Sequence, residues 1–228
     1  MKKYGIYALF LIILVGDLIG EATGIKWMDY AFKPLIIPWI ALFFYLNSEN
    51  VNRPVKKLLY LALLFSWIGD INLMFPHVNE IFFKAGLGSF LMAQIIYINL
   101  FLKTITLSGK RAFLKKQPFW FIAYVAYGLF FYILLFESLD MVLKIAVLIY
   151  TVALLGMSAM ALNRFGNGNP LSFTYVFAGS LLFVASDSMI AINKFVFAIP
   201  FEGLLIMGTY ISAQYLIMRG ILKQYQKE

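Results

Sequence analysis

Apolar residues in this chain come in long unbroken runs separated by short polar breaks, with no alternation of apolar and polar positions inside a run. Runs of this kind predict helices, and about 20 residues rising roughly 1.5 Å each are enough to cross the hydrocarbon of a bilayer. Eight such spans are expected, at residues 4–20, 30–46, 58–75, 81–102, 119–136, 141–162, 172–193 and 201–218. A membrane barrel would need shorter strands of alternating character, so the expected fold is an all-α polytopic membrane protein. The first run opens on Lys2-Lys3, as a signal peptide does. No small-residue cleavage site precedes Asp17 and Glu21, so it is read as the first span.

Composition agrees with this pattern. With 62% hydrophobic and 13% charged residues and a mean hydropathy of +0.84, the chain has too little polar surface for a soluble globule. Only Lys26, Lys33, Lys84, Lys144 and Lys194 fall on the side opposite the termini; every other Lys and Arg falls on the terminal side. That bias predicts cytoplasmic termini in a multi-pass protein, most simply of a bacterial inner membrane. The net charge of +8 is accounted for by topology, and a nucleic-acid partner is not expected. The basic stretch Ser108-Gly109-Lys110-Arg111 reads as an anchor at anionic head groups, and Asn163 to Pro170 as a turn. Without cysteine, thiolate metal sites and cysteine nucleophiles are excluded. The single histidine, His77, reads as a solvated loop residue.

Two segments repeat each other. Gly88-Ser89-Phe90-Leu91-Met92-Ala93-Gln94 is echoed by Gly208-Thr209-Tyr210-Ile211-Ser212-Ala213-Gln214, and each copy follows a run with one mid-run aspartate, Asp70 or Asp187. Lys33 and Lys144 extend the correspondence more weakly. The expectation is one transmembrane domain, residues 1–228, built from a parallel four-plus-four repeat (1–114 and 115–228) with the site between the halves.

A carboxylate in hydrocarbon is costly and persists where it pairs, lines a cavity or does chemistry, which makes Asp70 and Asp187 the candidate catalytic residues. Helical rise places both roughly 7 to 11 Å below the non-cytoplasmic edge. Lys33 and Asp17 fall at similar levels, and of the acids only Glu49 and Glu228 lie outside that half or its loops, so a hydrated chamber open to that side is expected. Helical spacing puts Ser66 and Trp67 on the face of Asp70, with Asn72 beside them only if the helix is distorted near Gly69. Phe183, Val184, Ile190 and Ala191 flank Asp187, with Ser186 next to it, and apolar flanks favour a neutral carboxyl. Gln94 with Tyr97, and Gln214 with Tyr210, lie deeper and either line the site or bond helix to helix. The aromatics serve mainly packing and the interfacial belts, and some border an expected acyl-chain groove. No serine-hydrolase elbow, zincin motif, dinucleotide fingerprint or phosphate loop occurs.

Phe32-Lys33-Pro34-Leu35, Ser66-Trp67-Ile68-Gly69-Asp70-Ile71-Asn72-Leu73-Met74, Gly86-Leu87-Gly88-Ser89-Phe90, Ser186-Asp187-Ser188-Met189-Ile190-Ala191-Ile192-Asn193 and Thr209-Tyr210 before Ala213-Gln214 occur in this order. In these residues the chain resembles the YhhN-like lysoplasmalogenase family. The resemblance implies hydrolysis of the vinyl ether of lysoplasmenyl-ethanolamine or lysoplasmenyl-choline, a lysophospholipid, to a fatty aldehyde and a glycerophospho-alcohol. The family's catalytic aspartates would map onto Asp70 and Asp187. Where the family pattern has histidine in span four this chain has Gln94, which argues against a proton relay there. Such chemistry needs an acid and a base but no cofactor or metal. Asp187 is the expected acid and Asp70 the expected base, with Lys33 as a contact to phosphate or a residue snorkelling to head groups. Two other classes fit the pattern: a small-molecule or lipid carrier with its site between parallel repeats, and an assembly subunit whose aspartates pair helices.

Overall fold

The computed structural model of the chain describes residues 2–75, 78–108 and 113–226; His77 and the basic residues Lys110 and Arg111 lie outside them. The elements are α1 (Lys2–Thr23), α2 (Lys26–Asn47), α3 (Arg53–Leu73), α4 (Glu80–Ser108), a one-turn α5 (Phe113–Lys116), α6 (Trp120–Phe136), α7 (Met141–Leu162), α8 (Pro170–Phe195) and α9 (Glu202–Tyr225), with no strand among the described residues. Six of them, α1, α2, α4, α7, α8 and α9, are long and apolar enough to cross a membrane. α6 is apolar but has 17 residues. α3 has 21 residues and carries Arg53, Lys56 and Lys57 in its first turns.

Each apolar run of the sequence coincides with a helix, but several helices overrun their runs. α3 starts at Arg53, α4 continues to Ser108 and α9 to Tyr225, because Lys, Arg and Gln propagate a helix as well as Leu does while adding nothing to hydropathy. Helix starts follow local chemistry. The Asp140 side chain accepts from Leu143 N at 2.8 Å to cap α7, and Asn169 accepts from Leu171 N and Ser172 N ahead of Pro170 in α8. The short α5 was not expected from the linker's polarity. It forms because Leu114 buries against Ala159 and Leu162 while its N–H donates to Asn163 Oδ1 at 2.8 Å.

α2 shows how a membrane segment tolerates proline. Pro38 has no N–H for the carbonyl of Pro34 four residues earlier, and an unpaired carbonyl in hydrocarbon costs several kcal/mol, on the order of a lost hydrogen bond in an apolar medium. Trp67 of α3 supplies the donor, its indole Nε1 lying 2.8 Å from Pro34 O. The indole of Trp67 is thereby turned to α2, away from the aspartate three residues on.

α3 lies along α4, α8 lies along α9, α4 packs on α7, and α9 packs on α1 and α2. Small residues set the closeness of the two main pairs: a Cβ on Gly69 of α3 would meet the Phe90 ring of α4 at 2.6 Å, and one on Gly179 of α8 would meet Ala213 O of α9 at 2.8 Å. Helix direction alternates, so the turns after α1, α3, α6 and α8 gather at one end, called here the loop end. The ends of α4, α7 and α9 meet at the other, where Arg164, just beyond α7, reaches Thr104, Ser172 and Gln224.

Candidate active site

Asp70 comes from the α3–α4 pair and Asp187 from the α8–α9 pair, and both stand on the wall of one cavity of about 440 Å3 that opens at the loop end. They are 4% and 7% exposed. An aromatic cluster underlies them: Phe90, Phe183 and Tyr210 meet edge to face, with ring centres 5.7 to 6.2 Å apart.

Each carboxyl is held by neutral donors. Tyr210 Oη donates to Asp70 Oδ2 at 2.8 Å. Behind it, Gln214 Nε2 donates to Tyr210 Oη at 3.3 Å and to Ser66 Oγ at 2.9 Å, while Tyr97 Oη donates to Gln214 Oε1 at 2.5 Å. On the other helix pair, Tyr150 Oη at 2.5 Å and Gln94 Nε2 at 3.0 Å both donate to Asp187 Oδ2. The two glutamines of the repeated segments therefore serve different partners: Gln94 bonds an aspartate directly, and Gln214 reaches one through a tyrosine.

The mouth of the cavity is charged. Lys33 Nζ pairs with Glu21 Oε1 at 2.8 Å, and both side chains are mostly covered, 15% and 19% exposed, so Lys33 is ion-paired at the mouth. Glu202 and Lys194 complete the rim, with Lys194 Nζ 4.6 Å from the centre of the Phe83 ring. One turn before Glu21, Asp17 is fully buried with neither carboxyl oxygen hydrogen-bonded, and it does not border the cavity.

Of the residues singled out by sequence, Asp70, Asp187, Lys33, Ser186 and Tyr210 line the cavity. Gln94, Tyr97, Gln214 and Ser66 form the layer behind it. The Ser186 hydroxyl is engaged with Ile206 O at 3.0 Å. Asn72 is not brought in: its Nδ2 donates to Ile68 O of its own helix at 2.7 Å, because α3 stays regular past Gly69. Tyr150 was missed, since one tyrosine among 14 in an apolar run carries no mark of its partner. Glu21 and Glu202 were also missed as individuals, although the concentration of acids on one side of the sequence pointed to the chamber they line.

On one side of Asp187 the surroundings turn apolar. A second, narrow cavity of about 50 Å3 shares Leu73, Phe83, Phe90, Asp187 and Ile190 with the first and continues between α6, α7 and α8. The site can thus hold a molecule that is charged at one end, apolar at the other and exposed between them to two carboxyl groups.

Comparison with known proteins points the same way. A family model described as the YhhN family matches residues 28–221. The chain is 28% identical to lysoplasmalogenase TMEM86A of Homo sapiens over 198 residues, covering 84% of this chain and 77% of that protein. It is 30% identical to lysoplasmalogenase TMEM86B of Sus scrofa over 196 residues, covering 86% and 76%. No solved structure matches the chain. With its membrane-length helices and membrane-enzyme relatives, the chain is an integral membrane protein.

Proposed function

The chain belongs to the YhhN family, and from that premise we propose that it hydrolyses the vinyl ether bond of lysoplasmalogens, lysoplasmenyl-ethanolamine or lysoplasmenyl-choline, with Asp187 as acid and Asp70 as base. The observation that carries the reading is that the two carboxyls share a cavity with a charged mouth and that Asp187 also borders an apolar recess. A lysoplasmalogen has the same polarity along its length: zwitterionic head group, vinyl ether, hydrocarbon tail. The names of the relatives support the same substrate class.

In this reading the two carboxyls take different roles. Both donors to Asp187 converge on Oδ2, so a proton on this carboxyl sits on Oδ1. Asp187 gives that proton to the outer vinyl carbon, and the ether oxygen shares its lone pair to form an oxocarbenium ion. The ionised Asp70 lies across the cavity to stabilise the cation, and it takes a proton from the water that attacks the carbon bearing oxygen. In the resulting hemiacetal, Asp187 removes the hydroxyl proton and Asp70 returns its own to the glycerol oxygen. The bond to glycerol breaks, aldehyde and glycerophospho-alcohol form, and both carboxyls are back in their starting states. Lys33 and Lys194 are suited to the phosphate, Glu21 and Glu202 to the ammonium group.

The same reading takes all eight long helices, α3 and α6 included, as spans, with the termini in the cytoplasm, the loop end facing outward, and a bacterial inner membrane as the setting. It also takes residues 1–114 and 115–228 as repeats. The packing is consistent with that relation: α3 on α4 corresponds to α8 on α9, and α4 on α7 to α9 on α2.

The test is aldehyde release from lysoplasmenyl-ethanolamine by the detergent-purified chain, beside Asp70→Asn and Asp187→Asn variants of equal thermal stability. Release by the wild type and not by the variants is expected. A folded wild type that releases nothing, or variants that keep full turnover, would overturn it.

A further inference from the structure

The apolar recess beside Asp187 adjoins a second apolar space. At its far side it shares Tyr127 and Leu155 with a groove of about 460 Å3 formed by α6, α7 and α8, whose walls include Ala123, Phe177, Leu181 and Ala185. Leu181, Ala185 and Ala123 are exposed on the outside of the bundle, and α7 and α8 are helices of membrane length. Apolar walls therefore run from a carboxyl group to the outside of the bundle, with Tyr127 and Leu155 common to both spaces.

We propose that this path is the binding site for the hydrocarbon tail of the substrate, a single long alkenyl chain, and the exit by which the aldehyde returns to the bilayer. Three observations select that occupant. The narrow part is bordered almost wholly by hydrophobic side chains, and two of its few polar groups satisfy each other: the Tyr127 and Ser188 hydroxyls bond at 2.7 Å, and Ser188 donates to Val184 O at 2.6 Å. Beyond Asp187, only the Thr151 hydroxyl is left to meet a polar ligand there. Its width suits one chain rather than the two of a diacyl lipid, with about 50 Å3 free against the 440 Å3 of the charged cavity. Its length also fits: from Asp187 to Phe177 along α8 is ten residues, about 15 Å, half of the roughly 30 Å hydrocarbon thickness that two opposed leaflets share. A tail in this path sets the vinyl carbon beside Asp187 and leaves the head group in the charged cavity, so the two products depart by different doors.

The inference rests on the vinyl ether reading for its substrate, and two measurements separate them. In the first, turnover is compared for hexadecenyl and octenyl lysoplasmenyl-ethanolamine. Leu155→Trp, which fills the junction, is expected to lower the ratio of long-chain to short-chain turnover about tenfold, equivalent to losing the burial of roughly two methylenes. Ala185→Trp, on the exposed groove where folding is not at stake, is expected to lower it about threefold. In the second, a saturated-ether lysophospholipid, which cannot undergo the reaction, carries a diazirine at the end of its tail and is photolysed with the wild-type chain. Adducts are expected on the α6 and α8 segments that line the groove. Adducts spread over all the lipid-facing helices, or variants that leave the ratio unchanged, would overturn the tail site. Hydrolysis without groove adducts would overturn this inference and leave the vinyl ether reading standing. Groove adducts without any hydrolysis would overturn the vinyl ether reading and the aldehyde exit with it, and leave only the tail site.

Discussion

Arg164 and Asp187 are both ionisable side chains taken out of water inside one helical bundle, and their surroundings differ in kind. Arg164, 1% exposed, is spent on neutral acceptors: Nε donates to Thr104 Oγ1 at 3.1 Å, and Nη2 donates to Ser172 Oγ at 2.8 Å and Gln224 Oε1 at 3.4 Å. Burial pushes its guanidinium down to about 10, still well above neutrality, so it remains a cation. No cavity described above borders it. It ties the ends of α4, α8 and α9 to the turn after α7, and Ser172 passes the tie on by donating to Gly220 O at 2.6 Å. Asp187 has donors on one oxygen only and stands between two cavities. Burial alone does not mark a working residue; a buried ionisable group with open space on one side does.

That contrast is broken most severely at the aspartates. Asp187→Asn and Asp70→Asn are expected to lower kcat by about a hundred- to ten-thousand-fold, the usual worth of acid or base catalysis, with the thermal midpoint unchanged. If either variant unfolds with its activity per folded molecule preserved, the aspartates are structural and the contrast is void.

Arg164→Ala should show the opposite profile. Removing the guanidinium leaves a void and takes away the donor to Thr104, Ser172 and Gln224, a loss of about 2 to 4 kcal/mol read as a lowered thermal midpoint in detergent. Turnover per folded molecule should stay near that of the wild type, and a large fall in kcat without loss of stability would contradict the assignment.

Tyr150→Phe sharpens the contrast from within the site. It deletes one of the two donors to Asp187 and is expected to cost about tenfold in kcat, or about 1.4 kcal/mol. The readout is the split between kcat and KM, because a purely packing role would leave kcat alone. Tyr97→Phe, two bonds further from Asp70 than Tyr210, should cost less than about threefold, in keeping with a net hydrogen bond of about 1 kcal/mol. The smallest effect belongs to Asn72→Ala, whose amide serves only its own helix; turnover within assay error is expected, and a marked loss would mean that α3 rearranges around substrate.

Much of the site was legible before any fold was known. Asp70 and Asp187 announce themselves as isolated acids in hydrocarbon, and the recurrence of Gly-x-x-x-x-Ala-Gln points to Gln94 and Gln214. Lys33 was legible as a residue but not in its role: its position before Pro34 fits a snorkelling lysine equally well, and the ion pair depends on where α1 puts Glu21. Arg164 was counted only as one of the cations on the terminal side, because a turn sequence does not show what three other helix ends place around it.

Helices and their approximate ends follow from the chain alone for a physical reason: in hydrocarbon every backbone N–H and C=O must find its partner within its own segment, so local composition suffices to dictate the element. Contacts between elements obey no such local rule. Tyr210 meets Asp70 across 140 residues of chain, Gln214 meets Ser66 across 148, and Trp67 repairs a carbonyl that Pro38 leaves open on another helix. Which tyrosine serves which acid, and on which side of that acid the apolar path opens, depends on the rotation and closeness of packed helices. Those are set by how all the side chains fill the space between them.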